Sequence, residues 1–139
     1  MTGVRNIPAL IDMLDSRLSV PFGWRGGRDC ARFADAAIEA QTGVSVIGDR
    51  HWHSRRTARA VIEAEGGLAA AMDRRLIRIA PALAQRGDIG AVPDPIFGVR
   101  LMVIEGVTLV GPGYHGLERQ PRAIMTAAWD VMSAGLPRE

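Results

Sequence analysis

Apolar positions set the first reading of this chain, and their period changes halfway along it. Ile7, Leu10, Ile11, Leu14 and Leu18 recur at helical spacing, and Pro8 stands near the start, where a missing N–H costs nothing; this predicts a helix over 8–18. Pro21, Gly23, Gly26 and Gly27 interrupt the pattern. Cys30, Phe33, Ala34, Ala37 and Ile38 then form a second stripe, with Asp29 placed to cap the helix and Gly43 to end it. Ser54 opens a third helix over 55–65, stopped by Gly66 and Gly67, and a short helical turn follows at 67–73.

Beyond residue 75 the runs shorten and alternate. Leu76–Ile79, Ile89–Val92, Phe97–Ile104, Val107–Val110, Gly116–Gln120 and Trp129–Met132 read as strands, with Glu105-Gly106 turning a hairpin and Pro121–Thr126 a helical turn. Helices first and antiparallel strands afterwards make an α+β chain. At 139 residues, with 47% hydrophobic and 23% charged residues, one domain spanning 1–139 is expected, with one core. No run reaches the roughly 20 apolar residues of a membrane helix, and the N-terminal segment lacks a signal-peptide core.

Charge adds little. All 17 basic residues are arginine, yet the net charge is only +2, so nothing demands a nucleic-acid partner. A single cysteine rules out an internal disulfide and multi-cysteine metal sites. His51 and His53, two residues apart, lack further ligands at metal spacing, so no metal and no cofactor is expected.

Cys30 is the residue with chemical promise. A helix N-terminus favours a thiolate, and Arg25 and Arg28 add positive charge nearby. Against that, Asp29 opposes it, and Cys30 belongs to an apolar stripe, as a packed structural cysteine would. A dyad needs an imidazole; His115, in the turn Gly113-Tyr114-His115-Gly116, is the candidate partner. Trp24, Trp52, Arg55, Arg56, Arg59 and Tyr114 are candidate interface residues, because exposed Trp, Tyr and Arg suit protein contacts.

The run Trp24-Arg25-Gly26-Gly27-Arg28-Asp29-Cys30, followed by Gly87-Asp88-Ile89 and a small sheet, resembles the NlpC-type cell-wall cysteine peptidases, compact relatives of papain. The chain also resembles a family of small phage and prophage proteins, through Thr42-Gly43, Gly66-Gly67, Gly116-Leu117 and Ala128-Trp129-Asp130-Val131. These resemblances imply a papain-like fold with helices packed on an antiparallel sheet. They also imply a role in a phage or prophage tail, at its tip or hub, with other tail proteins as partners. The expected location is then the virion, or the host cytoplasm before assembly. In the peptidases a histidine opens the strand after the Gly-Asp turn; here Ile96 or Phe97 stands in its place. The sequence therefore supports two readings: a tail structural protein on a peptidase scaffold with an impaired dyad, or an active wall peptidase or amidase with Cys30 as nucleophile, acting on peptidoglycan peptides.

Overall fold

The structure, a computed structural model, describes residues 4–137. Helix α1 (Ile7–Asp15) starts where the Asn6 side chain accepts from the Ala9 amide at 3.0 Å, and it buries Leu10 and Leu14. It stops short of the expected Leu18. There the backbone is drawn to a later segment: the Leu18 carbonyl accepts from the Leu117 amide at 3.1 Å. Gly116, at φ +135°, permits that approach, since a Cβ would collide with the Leu18 carbonyl.

Helix α2 (Cys30–Thr42) is the central element, packed on α1 on one side and on the sheet on the other. Asp29 caps it through the Arg32 amide at 3.0 Å, and Gly43 closes it in the left-handed conformation at φ +78°. Phe33, Ala34, Ala37 and Ile38 face the core, as their spacing predicts. Ser54 and Thr57 form a reciprocal cap for α3 (Arg55–Ala64), and α4 (Leu68–Asp73) follows.

The six strands are β1 (Ile77–Ile79), β2 (Ile89–Asp94), β3 (Gly98–Ile104), β4 (Thr108–Pro112), β5 (Leu117–Pro121) and β6 (Ala127–Asp130). They form one antiparallel sheet in the order β1-β6-β2-β3-β4-β5. The last strand ends earlier than the pattern suggests, because the Asp130 side chain accepts from the Met132 amide at 2.9 Å and starts a 3₁₀ turn over Val131–Ser133. By inserting between β1 and β2, β6 carries Trp129 into the core; its indole N–H reaches Asp73 Oδ1 at 2.9 Å. The main core lies between the helices and one face of the sheet, around Leu10, Phe33, Ile38, Leu76, Leu101 and Trp129. A smaller one occupies the opposite face around Met102, Ile104 and Leu109, under Ala84 and Met125.

One polar knot locks these layers at the C-terminal end of α2. Asp88, only 1% exposed, accepts from Arg5 Nη1 at 2.9 Å, the Gln85 amide at 2.8 Å and the Val131 amide at 3.1 Å. Buried Gln41 donates to the Gly87 carbonyl at 2.9 Å. The Gly-Asp turn thus ties the chain before α1, the end of α2 and the end of β6 together, which is an architectural task.

Candidate functional site

Cys30 is the first residue of α2, and its position follows from its neighbour. The Asp29 carboxylate is fully engaged: one oxygen caps the helix, and the other accepts from Trp52 Nε1 at 3.0 Å with Arg32 Nη1 at 3.5 Å. The Arg32 guanidinium also lies over the Trp52 ring, 4.0 Å from its centroid. This clamp sets the first turn of α2 and turns Trp52 inward. Trp52, expected as an exposed contact residue, is 9% exposed; a buried carboxylate needs donors, and the indole is one of them.

The half-buried Cys30 faces a cleft of about 260 Å³. Phe22 and Trp24 from the loop before α2 form one wall. Asp94, Ile96 and Phe97 from the β2–β3 connection continue the lining, with Arg100 and Leu101 of β3 and Arg55 of α3. Phe22, Trp24 and Phe97 stack in series, with centroid separations of 5.0 and 5.8 Å. Ile96 and Phe97, which the sequence reading puts where the peptidases carry a histidine, line the cleft. Among the described residues no histidine lines it.

The electrostatics run against a thiolate. Burial pushes the Cys30 thiol up from its ordinary 9.0 to about 11. A backbone hydrogen bond at Leu101 and the charge of Arg100 pull downwards, while Asp29 and Asp94 push up. The helix N-terminus therefore does not yield the low-pKa thiol expected from position alone. Nor are Arg25 and Arg28 the cations that act on it. Arg25 is exposed, and Arg28 folds back to donate to the Arg25 carbonyl at 2.9 Å.

His115 lies on the β4–β5 turn, exposed, its ring edge-on to that of Tyr114. The turn is pinned to the loop before α2 by the Phe22 amide on the Gly113 carbonyl at 2.8 Å. The structure brings Cys30, Trp24 and Arg55 to one cleft and leaves His115 and Tyr114 outside its lining. Arg56 and Arg59 are exposed on α3; Arg59 donates to the Ile96 carbonyl at 3.2 Å and pairs with Glu63. His51 and His53 are exposed, and among the described residues no cluster of three metal-ligating side chains occurs. The residues that sequence reasoning missed are Arg100, Asp94 and Phe22, whose approach to Cys30 depends on strand pairing and loop packing. A weak signal was available in Phe22-Gly23-Trp24, an aromatic pair in a segment with no core stripe to join.

The profile of one protein family, described as a domain of unknown function (DUF6950), matches residues 5–131. The chain belongs to that family. No curated protein sequence matches it. Among solved structures it is similar to the NlpC/p60 domain of the peptidoglycan hydrolase SagA, at 15% identity and a TM-score of 0.58, over 90% of this chain and 98% of that one. That likeness establishes the fold: an NlpC-type, papain-like α+β domain.

Proposed function

We propose that this DUF6950 protein is a structural component of a phage or prophage tail, at its tip or hub, built on a wall-peptidase scaffold whose dyad is impaired. One observation carries the loss of chemistry: the cleft beside Cys30 presents Ile96 and Phe97, neither of which takes a proton, and the thiol there is held protonated. General-base activation requires a titrating group within about 3 Å of the nucleophile. What remains is a shaped, aromatic cleft suited to binding. The tail assignment rests on the short motifs shared with small phage and prophage proteins. Trp24, Tyr114 and the exposed arginines Arg55, Arg56 and Arg59 then serve as contacts to neighbouring tail proteins in a heteromeric assembly, in the virion or in the host cytoplasm beforehand.

The test is chemical and biological together. Iodoacetamide should label native Cys30 slowly at pH 7 and rapidly only after denaturation, because only the thiolate reacts. Purified protein should release no peptide from isolated peptidoglycan, and it should co-purify with tail proteins when the particle is assembled. Rapid native labelling together with wall lysis abolished by Cys30→Ala would instead establish the peptidase.

A further inference from the structure

The cleft holds more aromatic surface than the core requires. The chain has three Trp, three Phe and one Tyr. Phe33, Trp52 and Trp129 are buried, whereas Phe22, Trp24 and Phe97 line the cleft in a contiguous row, the first pair edge-to-face and the second tilted. Such a row presents a ready apolar surface to an incoming side chain.

The charges beside this row are unequally matched. Arg100 is paired with Glu118 at 2.6 Å. Asp94 is occupied by the amides of Ile96 and Phe97, at 3.0 and 2.8 Å. Arg55 also lines the cleft, and among the described residues it has neither an ion pair nor a hydrogen bond. It sits one turn before Arg59, which bonds the Ile96 carbonyl of the β2–β3 turn and pairs with Glu63 within α3. Arg55 is therefore an unmatched planar donor at the edge of an aromatic slot, and it suits a carboxylate.

We propose that this cleft binds a segment of a neighbouring protein in which a large apolar side chain adjoins a carboxylate. The apolar group packs onto the contiguous surface of Phe22, Trp24 and Phe97, and the carboxylate meets Arg55. The inference rests on the cleft being a site that binds without cutting, and it names the chemistry of that partner.

The probe is a fluorescein-labelled peptide, Gly-Gly-Ala-Phe-Glu, titrated with the full-length protein by fluorescence anisotropy. Saturable binding is expected, weaker by about tenfold or more when amidated Gln replaces Glu, and weaker again in high salt. Arg55→Glu should abolish it and Arg55→Lys should retain part of it. Arg86→Glu, at an exposed arginine outside the cleft lining, should leave it unchanged. Trp24→Ala should weaken it by about tenfold with the circular dichroism spectrum intact. Absence of saturable binding, equal affinity for the Gln peptide, or indifference to Arg55→Glu overturns the proposal. Tighter binding of muropeptides or of N-acetylglucosamine oligomers than of the Glu peptide overturns it in favour of a wall ligand. Cleavage of the bound peptide would refute the non-cleaving reading above and the inference with it. Absence of both binding and cleavage would overturn this inference alone and leave the non-cleaving reading in place.

Discussion

The two ends of α2 carry opposite kinds of chemistry. At the C-terminal end, Gln41, the Gly87-Asp88 turn, Arg5 and the Val131 amide form a dense polar knot around a buried carboxylate with three donors. At the N-terminal end, one step past the Asp29 clamp, Cys30 faces an aromatic cleft that, among the described residues, no imidazole lines and in which Arg55 is unmatched. The lesson is that the buried polar anchors of this fold sit at the opposite end of α2 from Cys30, so they can be broken independently of the cleft.

This contrast breaks most visibly at Asp88. Asp88→Ala removes three hydrogen bonds at once and leaves Arg5, only 14% exposed in its side chain, with the Arg86 carbonyl and the more distant Asp130 at 3.9 Å. A loss of about 3 kcal/mol is expected, read as a fall in the urea midpoint with the slope unchanged. Peptide binding at the far cleft should survive wherever the variant stays folded. A loss under about 1 kcal/mol would mean that the knot does not hold the layers together.

Asp29→Ala probes the boundary between the two ends. It deletes a helix cap and strands the buried Trp52 indole N–H, for a combined cost of about 2 kcal/mol in chemical denaturation. Because the clamp orients the first turn of α2, native Cys30 labelling should also accelerate. Unchanged labelling would separate the clamp from the cleft.

The smallest effect is one of pH. The folded state holds the Cys30 proton up to about 11, against an ordinary 9.0, so folded protein binds that proton more tightly than unfolded chain. The stability linked to it is fully present below pH 9 and is lost as pH rises through about 11, with a magnitude on the order of 2 kcal/mol. The difference between wild type and Cys30→Ala across that window isolates the thiol's contribution. Parallel curves for the two proteins would show that the thiol is more hydrated than its surroundings suggest.

Much of the architecture was legible in the residues. The stripe from Cys30 to Ile38, the Asp29 and Ser54 caps, Gly43 and the Glu105-Gly106 hairpin all lie where spacing and capping chemistry put them. These signals are local, set by neighbours within one or two turns. The same locality explains the failures: α1 ends early because Leu18 is claimed by Leu117, ninety-nine positions away in the chain. Trp52 turns inward because a buried carboxylate, not a partner protein, uses its indole.

By itself, then, the amino-acid order determined the helices, the strands, their caps and the placement of a cysteine at a helix start, since each depends on short-range backbone preference and side-chain period. Only the tertiary structure decided that β6 enters between β1 and β2, that Asp88 joins three distant segments, and that the thiol keeps its proton beside Arg100 rather than Arg25 or Arg28. Burial and Coulombic interactions are properties of distance in space, and a linear spacing does not contain them.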